Sequence, residues 1–235
     1  MIPKILHQVW VGPNPPPTRA METWRRRHPD WEYRIWTDHT GWENQKAIDA
    51  MPEWNGKADI MRYEILYRHG GVVVDADSEC LRSLDDHFLE HIAWACWENE
   101  TCRCGVLACG AMGGIPGAPI WYRCIREIGF RDMKRAAWAE VGPGLLSEIA
   151  RGDRSLHLYP ARMFIPWHYS GVRAPGNDEV YGRQLWGTTR GYQSMAVQDR
   201  SLRVVSTGCS ADWVPGCIWS VSVRGFLPCV CMSAA

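Results

Sequence analysis

The stretch "KADIMRYEILYRHGGVVVDAD", Lys57 to Asp77, confines the fold more than any other part of the chain. Ala58, Met61, Ile65 and Leu66 recur at three- and four-residue steps, the period of a helix, and Gly70 supplies its stop. "VVV" then reads as a central strand. A helix that feeds a buried strand belongs to a sheet covered on both faces, and the same alternation continues along the chain. "KILHQVWVG" and "WEYRIWTD" (Trp31 to Asp38) read as strands, with Gln45 to Met51 a short helix that ends before Pro52. "HIAWACWE" and "GVLACGAM" follow as strands, "PIWYRCIREI" and "PGLLSEIARG" as helices, and "HLYPARMFIPW" as a late strand interrupted by prolines. Between the first two strands, "GPNPPPT" is a loop, because its prolines forbid a regular element. The expectation is an α/β fold with a mainly parallel central sheet flanked by helices.

A chain of 235 residues can bury one sizeable core without a second. Residues 1–190 carry the alternating pattern and are expected to form the domain. Residues 191–235 are expected to be a Cys-rich extension, since from Val205 to Ala235 the charged residues are Asp212 and Arg224 alone. Lys plus Arg equals Asp plus Glu at 26 each, which leaves no bulk field for nucleic acid. "WRRRHPD" (Trp24 to Asp30) is a local basic patch, read as a solvated helix end, with a phosphate or lipid-headgroup contact, and so a peripheral membrane contact, as the other reading. The opening "MIPKILHQVWVG" lacks the pattern of a signal peptide, and Trp213 to Cys231, the most apolar late segment, carries Pro215, Arg224 and Pro228. A cytoplasmic protein is expected. The ten cysteines do not fall into paired C-x-x-C knuckles, so reduced thiols are expected rather than a zinc site.

Asp75 and Asp77 stand at the carboxyl end of the "VVV" strand, where ligands bind in open α/β sheets. On an extended chain, side chains two residues apart project to the same side, so both carboxylates face one cation and their repulsion becomes chelation. Oxygen ligands of this kind favour Mn2+ or Mg2+ over zinc. A lone D-x-D is more often a turn cap and an exposed acid. Here Asp59 and Arg62, three apart on the preceding helix, share a face directed at the same crevice, either as a plain ion pair or as a grip on sugar hydroxyls. Trp97, Glu98 and Asn99 follow a strand and are candidates for an acceptor side.

These segments, with "IPKILHQVWVG", "GGIPGAP" (Gly113 to Pro119) and "VGPGLL" (Val141 to Leu146), resemble glycosyltransferase family 32 over residues 2 to 190. That D-x-D sugar-transferase group takes in yeast mannosyltransferases, bacterial capsule and polysaccharide enzymes and the clostridial glucosylating toxins. The resemblance implies a GT-A fold and a hexosyltransferase that takes a UDP- or GDP-sugar donor, uses Mn2+ or Mg2+, and passes the sugar with retention to a glycan, glycolipid or protein acceptor. It places the metal, ribose and diphosphate at Asp75 and Asp77, the donor sugar at Asp59 and Arg62, the base on Trp10 with Asp38 nearby, and Trp186 in a late donor contact. In this reading Asp59, Arg62 and Asp77 are the catalytic residues.

Three positions depart from the family, and a start at the first strand, without the N-terminal anchor of its Golgi members, leads to the expectation of a bacterial or phage-like enzyme. Val73 stands where relatives carry Tyr, and in "YGRQLWGTT" Gln184 and Leu185 occupy histidine positions while Trp186 and Thr189 are retained. These departures keep two rivals in view. One is a metal-dependent phosphohydrolase, which would release free sugar or nucleotide without a glycosylated product. The other is a non-catalytic nucleotide-sugar binding module, which would bind donor without turnover.

Overall fold

The computed structural model describes residues 1–190, apart from the side chains of residues 188 and 190; the proposed extension at 191–235 lies outside the described residues. Six strands form the main sheet: β1 (Ile5–Val9), β2 (Glu32–Trp36), β3 (Gly71–Val74), β5 (Ala93–Asn99), β6 (Arg103–Gly114) and β7 (Leu156–Tyr159), in the order β2-β1-β3-β6-β5-β7. β1 pairs in parallel with β2 and β3, and β5 with β7, while β6 runs antiparallel to both of its neighbours. The mostly parallel sheet expected from the alternation is therefore present, with one reversed strand. β4 (Ser78–Cys80) and β8 (Gly182–Gln184) form a separate antiparallel pair that local sequence pattern did not indicate.

Strand alternation divides the core into two layers. Val73, Ala93 and Ala95 enter one cluster, and Val72, Val74, Trp94 and Cys96 the other. The first layer holds α2 (Gln45–Ala50), α3 (Trp54–His69), α4 (Pro119–Ile128), α5 (Ala137–Glu140) and α6 (Pro143–Ile149). The second holds Trp24 of α1 (Thr18–Arg27) with Phe88, Phe164 and Tyr181. α1 begins straight after the proline loop, where no helix was expected beyond the solvated end at "WRRR"; its last turn is Arg25, Arg26 and Arg27. The late proline-broken strand reduces to β7 followed by a 3-10 turn at Ala161–Met163. Among the described cysteines, Cys80, Cys96, Cys109 and Cys124 are buried free thiols and Cys102 and Cys104 are exposed.

α3 is buried around most of its circumference, polar residues included. Glu64 is fully buried and accepts the backbone N–H groups of Glu43 (2.8 Å) and Asn44 (2.9 Å), while Arg68 closes on it at 2.8 Å. Lys57 donates its Nζ to the Ile48 carbonyl. These bonds satisfy charges that would otherwise be costly to bury, and they fix α3 against the segment before it.

The passage from α3 to β3 uses two glycines in the left-handed region, Gly70 at φ 65° and Gly71 at φ 91°. A Cβ on Gly71 would lie 2.5 Å from the Ile5 carbonyl oxygen, because β1 passes against the turn. Gly71→Ala is expected to cost about 2–5 kcal/mol, combining the left-handed penalty with overpacking. Denaturant unfolding checks this: a large fall in midpoint is expected, and an unchanged midpoint would contradict the close approach.

Candidate active site

Beyond the carboxyl end of β3 the chain does not stay extended. Asp75, Ala76 and Asp77 form a turn, with the Ser78 N–H donating to the Asp75 carbonyl at 3.2 Å. The expectation that strand periodicity aligns the two acids is therefore corrected: a turn brings them together. The same carbonyl accepts Ser78 Oγ (2.6 Å) and Gln8 Nε2 (3.1 Å), and the Asp75 N–H donates to the Gly110 carbonyl at 2.8 Å. Gly110 sits where β6 slips register against β5, and a Cβ there would stand 2.5 Å from Asp75 Oδ2. The irregular strand leaves room for the carboxylate.

The two carboxylates converge on one atom. Gln184 Nε2 donates to Asp75 Oδ2 at 2.8 Å and to Asp77 Oδ1 at 3.0 Å. The other Asp77 oxygen accepts the Gly187 N–H at 2.6 Å, at the start of α7 (Gly187–Arg190), and the Leu185 N–H reaches the Asp77 carbonyl at 2.9 Å. Pairing of β4 with β8 holds this late segment in place, with Ser78 opposite Gln184.

From α3, Arg62 lies between Asp59 and Asp75. Its Nη1 is 2.7 Å from Asp59 Oδ1, its Nη2 contacts Asp75 Oδ1, and its buried Nε has no partner among the described residues. Burial pushes the Asp59 carboxyl up to about 7 against the pull of Arg62, with the negative Asp75 nearby adding to the rise. Burial likewise pushes Asp77 up to about 6, and Asp75 adds to that rise. Arg62 is raised above its already high value by Asp75 and Asp59, in spite of its burial.

This floor opens into a cleft of ≈ 560 Å3. Six of the seven residues expected at the site line it: Trp10, Asp59, Arg62, Asp75, Asp77 and Trp186. Asp38 does not; it is exposed after β2 and caps Thr40, whose N–H and Oγ1 lie 2.9 and 2.7 Å from Asp38 Oδ1. Val73 is buried in the core layer with α3, away from the cleft lining. Of the candidate acceptor residues, Glu98 lines the cleft, whereas Trp97 packs on the core and Asn99 is fully buried. Trp186 adopts φ 61° and donates Nε1 to the Trp167 carbonyl at 3.0 Å, with its ring against Tyr169. Gln184 is the residue whose importance the sequence concealed, because its contact depends on the long-range β4–β8 pairing.

A divalent cation fits this floor on its donor set. Asp75 and Asp77 supply oxygens alone, and Arg62 can neutralise no more than one of the three carboxylates around it. The point of convergence is held by a neutral amide N–H group, a weaker counter-charge than a cation.

A mostly parallel sheet with one reversed strand, and a D-x-D turn on the cleft floor, define the GT-A class of glycosyltransferase fold. The chain superposes on the solved PaToxG glycosyltransferase with a TM-score of 0.51 at 13% identity, over 63% of this chain and 69% of that one, a likeness of fold. Residues 17–94 match the family described as "Glycosyltransferase sugar-binding region containing DXD motif", the kind of family that the sequence resemblance implied. It is similar to inositol phosphoceramide mannosyltransferase 3 of Schizosaccharomyces pombe, 33% identical over 189 residues, which covers 74% of this chain and 50% of that protein. Mannosyl phosphorylinositol ceramide synthase SUR1 of Saccharomyces cerevisiae is 29% identical over 147 residues, 56% of this chain and 36% of that protein. The chain thus spans half or less of the length of these two relatives. Among the described residues no helix is long and apolar enough to cross a membrane.

The raised Asp59 has a sign that can be measured. A carboxyl with a folded pKa near 7 and an unfolded value of 3.8 binds more protons when folded, so its contribution to stability falls as pH rises through that interval. Asp59→Asn removes this dependence. The difference in thermal midpoint, variant minus wild type, is expected to become more positive between pH 5 and pH 8; a difference that does not change with pH would contradict the buried carboxyl.

Proposed function

We propose that the chain is a retaining, metal-dependent hexosyltransferase that moves a sugar from a UDP- or GDP-sugar to a hydroxyl acceptor. The observation that carries this reading is the convergence of Asp75 and Asp77 on one point of the cleft floor, beside the doubly held Arg62. Asp75 and Asp77 would hold Mn2+ or Mg2+. Such an ion supplies charge neutralisation for a departing diphosphate.

The residues of the chain then divide the remaining work. Trp10, at the end of β1, offers an indole face for the base. Asp59 accepts hydroxyl donors of the hexose, and Arg62, fixed by Asp59 and Asp75, directs positive charge toward the group that becomes negative. The Gly187 N–H orients Asp77, Gln184 bridges the two acids until a cation takes its place, and Trp186 lines the cleft from the late segment. A nucleoside diphosphate leaves readily, so positioning and preorganised charge are the main requirements. In the retaining reading the acceptor hydroxyl attacks from the face the diphosphate leaves, and passes its proton to a diphosphate oxygen. No side-chain nucleophile is assigned.

The names of the curated relatives point to mannose as the first donor sugar to try, and to a lipid-linked inositol phosphate among the acceptors, alongside glycan and protein acceptors. UDP-glucose, UDP-galactose and UDP-N-acetyl sugars complete the donor panel.

Incubation of the chain with the donor panel and Mn2+ is expected to give chelator-sensitive release of nucleoside diphosphate and, with acceptor, a glycosylated product by mass spectrometry. Asp77→Asn is expected to lower this turnover by about 100-fold or more, the scale of losing a group that stabilises a transition state, while the fold is retained. Turnover by Asp77→Asn at the wild-type rate would overturn the metal assignment. Free sugar as the product with every acceptor would favour a hydrolase, and binding without turnover a non-catalytic module.

A further inference from the structure

β5 delivers Glu98 to the cleft on the far side of β3 from Trp10, since the sheet order sets β1 on one flank of β3 and β6 and β5 on the other. Glu98 is only 6% exposed although it lines the cleft. Its carboxylate is held from behind. His168 Nε2 lies 3.1 Å and Arg103 Nε 3.2 Å from the same oxygen, Oε1.

His168 is buried, and its Nδ1 accepts the Ser170 backbone N–H at 3.3 Å, with Ser170 Oγ at 2.7 Å. A backbone N–H only donates, so Nδ1 is the acceptor nitrogen and Nε2 carries the proton given to Glu98. Both donors fall on Oε1, and Oε2 has no hydrogen bond among the described residues. A carboxylate oxygen accepts hydrogen bonds, so Oε2 is organised for a hydroxyl of a ligand.

Two aromatic side chains line the same cleft, each against one of the two groups that hold Glu98. Trp138 is 50% exposed and Tyr169 is 44% exposed, and both line the cleft; the Arg103 guanidinium lies 5.1 Å from the Trp138 ring centroid. A fixed carboxylate oxygen beside exposed aromatic faces suits a polyhydroxylated ring, whose hydroxyls bond to the anion while its C–H face lies on an aromatic.

We propose that Glu98, locked by His168 and Arg103, is the acceptor-positioning residue, and that it takes a hydroxyl of a polyol ring, a sugar or a cyclitol, resting on Trp138 or Tyr169. No bond is made or broken at Glu98. This assignment rests on the transferase reading and specifies its acceptor half.

The test uses methyl α-mannoside and myo-inositol as acceptor probes, with the donor that the panel identifies. Glu98→Gln is expected to raise the KM for the accepted probe about ten-fold or more, the scale of a lost charge-assisted hydrogen bond, with donor KM and donor hydrolysis by water within about twofold of wild type. Trp138→Leu, at an exposed position, is expected to raise the same KM severalfold, and it serves if Glu98→Gln does not fold. An unchanged acceptor KM in the folded variant, a parallel fall in donor hydrolysis, or wild-type transfer to neither probe would overturn the proposal and leave the transferase reading standing. Wild-type protein that neither hydrolyses nor transfers from any donor would remove the transferase reading, and this assignment with it.

Discussion

The arrangement of the cleft depends on one largely buried guanidinium. Arg62 ties α3 to the turn after β3 by contacting Asp59 and Asp75 together, so one side chain links helix, strand end and acid turn. Three carboxylates this close would repel one another if left alone, and the low dielectric of a buried site makes that repulsion strong. A single cation among them offsets part of it; burial is the main cause of the rise of Asp59 and Asp77, and the negative Asp75 adds to both. Removing one partner of such a buried cluster costs far more than removing a surface pair, because the remaining charges stay desolvated. The floor is thus assembled under electrostatic tension, which favours any ligand that adds positive charge.

Much of this was legible in the sequence, for local reasons. α3, the glycine pair and β3 follow from periodicity and from backbone positions that favour glycine, and the i,i+3 spacing of Asp59 and Arg62 placed both at the cleft. The convergence of Asp75 and Asp77 was also expected, but for the wrong reason, since a turn and not an extended strand aligns them. What escaped depends on contacts distant in the chain. Gln184 meets Asp75 across more than a hundred residues, and the register slip that places Gly110 under Asp75 has no local signature. α3 itself hides its burial, because Lys57, Asp59 and Glu64 are internal and satisfied by partners that periodicity cannot show.

The same separation organises the cleft. The sheet order sends β1 to one flank of the acids and β5 to the other, so the surfaces offered by Trp10 and by Glu98 belong to different elements and can be tuned independently. Sharing a fold with glycosyltransferases therefore says little about which sugar or acceptor would be used, because those choices rest on side chains at the strand ends. The late segment from Gly182 to Arg190 closes the floor from above, holding Asp77 through the Gly187 N–H and both acids through Gln184.

Anomalous diffraction from crystals grown with Mn2+ and a nucleoside diphosphate tests the central claim most directly. The account predicts one strong manganese peak bounded by Asp75 and Asp77, with the diphosphate on its open side and the Gln184 amide nitrogen turned away. Manganese and nucleotide bound elsewhere, with Gln184 still bridging the two acids, would contradict it.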